Sequence, residues 1–135
     1  MRPDRMRRFA FACLAAGIVV VIDQFTKAAA VSGLSQAERV PLLGEMFGLQ
    51  LAFNPGATLS FGAAVPGLLT LLGVAAVVLL VVAATRARTC WGAVGIGLIL
   101  GGAIGNLIDR LFSSPGFGLG HVTDFLAYGN LFIGN

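Results

Sequence analysis

Three long apolar runs, each closed by charged or helix-breaking residues, dominate the chain. The first extends from Phe9 to about Val31, follows Arg2, Arg5, Arg7 and Arg8, and is interrupted only by Asp23, Gln24, Thr26 and Lys27 near its far end. The second, Gly67 to Ala84, carries no charge and stops at Arg86 and Arg88. The third, Trp91 to Ile108, is rich in glycine, which lets helix backbones approach closely, and it ends in Asp109 and Arg110. A hydrocarbon layer of ~30 Å takes about 20 mostly apolar helical residues to cross, so spans are expected at about 9–31, 67–84 and 91–108. Residues 35–65 differ: Met46 to Asn54 alternates apolar and mixed positions and reads as a short strand, the one β element the pattern supports. AsnProGly at 54–56 breaks it, because proline lacks an amide donor and glycine takes backbone angles other residues avoid. After the third run come a loop at 113–120, the stretch HisValThrAspPheLeu at 121–126 and a short tail. The fold class expected is an all-α integral membrane helical bundle with a small β region, forming one membrane domain over 1–135.

Composition narrows the classes. With 57% apolar and 11% charged residues, and a mean hydropathy of +0.91, the chain lies outside the range of soluble domains, and three spans leave no room for a separate one. A basic start before an apolar run could also be a signal peptide, with AlaAlaAla at 28–30 offering small residues for cleavage. Asp23 and Lys27 inside the run argue instead for a retained span. The nine basic residues form no patch interleaved with aromatics, which speaks against nucleic acid. They flank the apolar runs, and a cytoplasmic amino terminus collects six of them inside under the positive-inside rule. The same orientation gathers Asp23, Glu38, Glu45, Asp109 and Asp124 toward the outer side. Cys13 and Cys90 fit no metal or redox spacing and are expected to be apolar packing residues.

The polar residues that could do chemistry are few. Asp23 is expected about 21 Å into the layer, with Lys27 one turn further on the same face, a spacing that suits either a structural ion pair or a functional site. Asp109 has Arg110 beside it and Asn106 one turn before it, and a helix-terminal ion pair is its plain reading. Asp124 lies between Val122 and Phe125 with no base nearer than His121, so desolvation is expected to raise its pKa toward what acid–base catalysis needs. His121 is read as an ordinary loop histidine, Ser60 has no positioned base, and one histidine with scattered acids makes no metal site. No cofactor is called for.

In series these stations read AspGlnPheThrLys at 23–27, AsnProGlyAlaThrLeuSerPheGly at 54–62, GlyGlyAlaIleGlyAsnLeuIleAspArg at 101–110 and HisValThrAspPhe at 121–125. Their order, spacing and residue types resemble signal peptidase II over nearly the whole chain. The resemblance implies an aspartic endopeptidase of the bacterial plasma membrane, with four helices and a small extracytoplasmic β cradle. It would cut diacylglyceryl-modified prolipoproteins on the amino-terminal side of the modified cysteine, with membrane lipid as its other partner. By motif position Asp124 corresponds to one catalytic aspartate. Asp109 has a supporting role or is a less favoured partner, and Asp23, Lys27, Asn54, Gly56, Asn106 and Arg110 surround and hold the site.

Two departures bear on this expectation. Thr58 and Leu59 stand where the family usually has alanine and phenylalanine. The family's second catalytic aspartate belongs to a motif that Asn135 opens, so the partner carboxyl and a fourth span are expected beyond Asn135, and the 135 residues alone are expected to be an inactive, incomplete copy. The rival class is a non-enzymatic membrane protein, such as a proton or ion carrier using Asp23, Lys27 and Asp109. The inner halves of the spans, around Gly17, Leu79 and Gly95, offer it no ionisable residue. A small assembly subunit packing through its glycine-rich helix is the third reading.

Overall fold

The computed structural model describes residues 1–57 and 62–135; Thr58, Leu59 and Ser60 lie outside the described residues. Three helices, α1 (Pro3–Gly33), α2 (Pro66–Thr85) and α3 (Cys90–Phe112), are each long and apolar enough to cross a membrane. The chain is a multi-pass membrane protein, a helical bundle with a small sheet. Pro3 and Pro66 open their helices at the first position, where an amide donor would have no partner within the helix. The chain forms two compact units, one of Met1–Gln24 with Leu71–Ile108 and one of Phe25–Thr70 with Asp109–Asn135.

The first unit has a core of small residues. Ala12, Ala16, Ala84 and Ala93 are buried, while Leu14, Ile18, Leu71, Leu79 and Ile99 are exposed. Lipid is as apolar as leucine, so burying large side chains brings no gain there and helices associate through close backbone contact instead. Gly97, Gly101 and Gly105 of α3 supply that contact. A Cβ at Gly97 would lie 2.9 Å from the Ala15 Cβ, and one at Gly101 would lie 2.6 Å from the Val19 Cβ and 2.7 Å from the Ala16 carbonyl oxygen. Gly101→Ala should therefore force the two helices apart at a cost of about 1–3 kcal/mol, read as a lower thermal midpoint in detergent. The same change at Gly102, where a Cβ would meet nothing within 4 Å, should leave the midpoint unmoved. Cys13 is exposed on α1 and Cys90 half-buried, both as free thiols, so Cys13 is not the packing residue expected.

The second unit is built on a four-stranded antiparallel sheet of β1 (Val40–Leu43), β2 (Phe47–Asn54), β3 (Val122–Tyr128) and β4 (Phe132–Gly134), in that spatial order. The single strand expected from the pattern is β2; of the stretch at 121–126, to which the pattern assigns no strand, Val122 onward belongs to β3. The physical reason is that Val122, Thr123 and Asp124 are all buried, and a strand buried on both faces has no alternation to betray it. The other two strands are short edges, and β1 contains Pro41, which an edge tolerates because its outer side has no ladder bond to lose. Gly44 and Gly129, at φ 56° and 55°, turn the two hairpins. Phe47, Tyr128 and Phe132 are direct cross-strand partners whose rings stack along one face, with centroids 5.5 Å and 4.8 Å apart.

Candidate functional site

The second unit gathers its polar residues where the end of α3 meets β2 and β3. Antiparallel pairing sets Asp124 opposite Ala52 and Val122 opposite Asn54, which brings the AsnProGly turn alongside Asp124. Asn54 shapes that turn itself: its Oδ1 accepts from the Gly56 amide at 2.9 Å and its Nδ2 donates to the Ala57 carbonyl at 2.9 Å. Its side chain also hydrogen-bonds the Asp124 carboxylate.

Asp109 is held from two sides. Lys27 Nζ lies 2.8 Å from Asp109 Oδ2, with both side chains buried, and the Thr123 amide donates to the same oxygen at 3.1 Å. The plain sequence reading, a pair between Asp109 and Arg110, is replaced by this one. Arg110 sends Nη2 to the Gly56 carbonyl, and its buried Nη1 has no hydrogen-bond partner among the described residues. The Asp109–Thr123 bond ties α3 to β3 one residue before Asp124, so the ion pair helps to set where that carboxyl sits.

The loop after α3 completes the frame by satisfying the helix's last carbonyls. The Ser113 amide donates to Asp109 O at 2.9 Å and the Gly120 amide to Arg110 O at 2.9 Å. A Cβ at Gly120 would run into this backbone, with the Arg110 and Ser113 oxygens each 3.0 Å away.

Asp124 itself is 4% exposed. Burial raises its carboxyl from the ordinary 3.8 to about 6, against the hydrogen bond from Asn54 and the charge of Lys27; Asp109 pushes it up further and Arg110 pulls it down. The residue faces a cleft of about 300 Å³ lined by Ala52, Phe53, Asn54, Leu131, Phe132 and Ile133. A buried carboxyl raised to about 6 beside an open, partly apolar cleft can exchange a proton near neutral pH.

The remaining expected residues, Asp23 and Asn106, belong to the first unit. Gln24 Nε2 donates to Asp23 Oδ2 and to the Gly105 carbonyl, each at 3.1 Å, and the absence of a side chain at Gly105 is what admits the Asp23 carboxylate, whose Cγ would lie 2.7 Å from a Cβ there. Asn106 is the next residue of α3 and is half-buried. His121 lines a different cavity, of about 600 Å³, with Val31, Phe53, Phe112 and Thr123. The reading of sequence missed Thr123 and Gly120. A run of β-branched and aromatic residues, Val122, Thr123, Phe125 and Tyr128, between Gly120 and Gly129 was the available signal for the strand that carries Thr123.

Membrane-crossing helices joined to a small sheet, with a buried carboxyl on a central strand and a second one locked to lysine, define a polytopic membrane protein whose polar machinery is carboxylate-based. Residues 15–134 match the signal peptidase (SPase) II family, and the chain belongs to that family. It is 45% identical over 108 residues to the lipoprotein signal peptidase of Leifsonia xyli, covering 80% of this chain and 50% of the relative. Identity to that of Rhodococcus jostii is 43% over 114 residues, covering 84% and 58%, and to that of Mycobacterium avium 40% over 128 residues, covering 95% and 69%. The chain thus spans about half the length of the first relative and under two thirds of the second. Two solved bacterial membrane enzyme structures share the fold at 22% identity. The one at 2.3 Å has a TM-score of 0.78 over 92% of this chain and 76% of that one; the one at 1.9 Å has 0.73 over 92% and 80%.

Proposed function

We propose that this chain carries the site of an aspartic endopeptidase that removes signal peptides from diacylglyceryl-modified prolipoproteins, on the amino-terminal side of the modified cysteine. The observation that carries the reading is Asp124: buried, raised to about 6, and open to a cleft between β2 and β4. Amide hydrolysis by two carboxyls needs one ionised, to take a proton from water, and one protonated, to give it to the carbonyl oxygen. A carboxyl near 6 can exchange its proton with a neighbour at cellular pH, as such a pair requires. Asp109 has the supporting role, because its Oδ2 is taken up by Lys27 Nζ at 2.8 Å and by the Thr123 amide at 3.1 Å.

The bacterial plasma membrane, an amino terminus in the cytoplasm and an extracytoplasmic sheet belong to the same proposal. The arginines flanking α1 and α2 support that orientation. Purified enzyme given a diacylglyceryl-modified prolipoprotein should release the signal peptide with the modified cysteine as the new amino terminus, seen as a mass shift. An Asp109→Asn variant should keep the cleavage position and lose about a hundredfold in rate, the cost of a misplaced catalytic group. Cleavage at another bond, or none by the enzyme, would defeat the assignment, and an unchanged Asp109→Asn rate would remove Asp109 from the site.

A further inference from the structure

The end of the first unit that carries the amino terminus is built from arginine. Arg5 Nε donates to the Thr85 carbonyl and Arg8 Nε to the Ala87 carbonyl, the latter at 2.8 Å. Two side chains of α1 thus satisfy one carbonyl at the carboxyl end of α2, where helix carbonyls lack partners and positive charge is favoured, and one two residues past it in the α2–α3 connection. These bonds bring the α1 arginines to the same end as Arg86 and Arg88 of the α2–α3 connection, and Asp4 is the one acid in these segments. In both capping residues the engaged nitrogen is Nε, so the forked end of the guanidinium is not what holds α2.

Arg2, Arg5, Arg7, Arg86 and Arg88 are exposed. Trp91, just beyond them on α3, is 87% exposed, and tryptophan is the residue of the membrane–water boundary. An exposed indole next to exposed guanidinium groups marks this end as lying at headgroup depth. The identity of the bases matters as well. Orientation of a membrane protein counts lysine and arginine alike, yet every base here is arginine, and the chain's one lysine is Lys27. The guanidinium fork grips a phosphate at two points, which an ammonium group cannot do.

We propose that Arg86 and Arg88, together with the arginines of the first two turns of α1, form a binding site for the phosphate of an anionic phospholipid headgroup. The site shares no residue with the Asp124 cleft and is independent of the peptidase reading. Its ligand is a lipid and not a free anion, because Trp91 sets the arginines where headgroups are.

Trp91 is the chain's single tryptophan and reports on the site directly. The purified chain is reconstituted in phosphatidylcholine bilayers containing increasing fractions of dibrominated phosphatidylglycerol or, in parallel, dibrominated phosphatidylcholine, and quenching of Trp91 is followed. Brominated lipid in both leaflets makes the readout indifferent to orientation. Phosphatidylglycerol should be preferred at Trp91 by about fivefold for each arginine engaged. R86Q/R88Q should remove most of the preference, and R86K/R88K, which keeps the charge and loses the fork, should remove a smaller part, the share owed to bidentate contact. Equal quenching by the two lipids would overturn the proposal. Full preference retained by the lysine pair would overturn bidentate recognition, and abolition of the preference by millimolar inorganic phosphate at constant ionic strength would assign the site to a free anion instead.

Discussion

Replacing Asp124 with asparagine is expected to lower prolipoprotein cleavage by about a thousandfold or more while making the protein more stable at neutral pH. The two effects share one cause. The folded chain holds the Asp124 carboxyl at about 6 instead of 3.8 because burial disfavours its charge. Between those values the folded state keeps a proton that the unfolded state has lost, so the contribution of Asp124 to stability falls as pH rises from about 4 to about 6 and is level above that. Asparagine has nearly the same shape, can still accept from Asn54, and has no charge to desolvate. Its advantage should be on the order of 1 kcal/mol above pH 6, after allowance for solvent screening, and should vanish near pH 4. Thermal midpoints of the two proteins across that range measure it. An asparagine variant less stable than the parent at pH 7 would show that burial is not what raises the carboxyl.

Lys27→Met is expected to have the largest effect on folding. Lys27 and Asp109 are buried together at 2.8 Å, and removing one partner of a buried pair leaves the other as an uncompensated charge, at about 3–5 kcal/mol. For a domain of this size that corresponds to a fall of roughly 10 °C or more in the thermal midpoint. Adding Asp109→Asn to Lys27→Met should recover much of the loss, since the amide oxygen can still accept from Thr123 without carrying charge. If the double variant is as unstable as the two single losses summed, the pair is not the interaction that holds α1 to α3 in the second unit. Cleavage would not return with stability, because residue 109 loses the Lys27 anchor that fixes its carboxylate beside the Thr123 amide and hence next to Asp124.

Several parts of this architecture were legible from local sequence. A run such as Gly67 to Ala84, with no charge in it, can only be a helix in lipid, because every backbone amide must be satisfied within the segment. The desolvation of Asp124 was legible from its apolar neighbours Val122 and Phe125. The ion pair was not: Lys27 could reach an acid one turn away as readily as one on another helix, and Asp109 had Arg110 adjacent in sequence. The arginine caps on α2 were equally hidden, since Arg5 and Arg8 read as orientation signals and nothing in their own segment names Thr85 or Ala87 as acceptors.

Hydropathy over a window is a property of consecutive residues, and by itself it determined the three helices, among the described residues, that are long and apolar enough to cross a membrane. The partners of the carboxylates were decided only by the tertiary structure. Strand pairing laid β3 against β2, brought Asn54 to Asp124 and put the Thr123 amide within reach of Asp109. The energy of a buried charge depends on which donor lies a few ångströms away through space, and chain order says little about that distance.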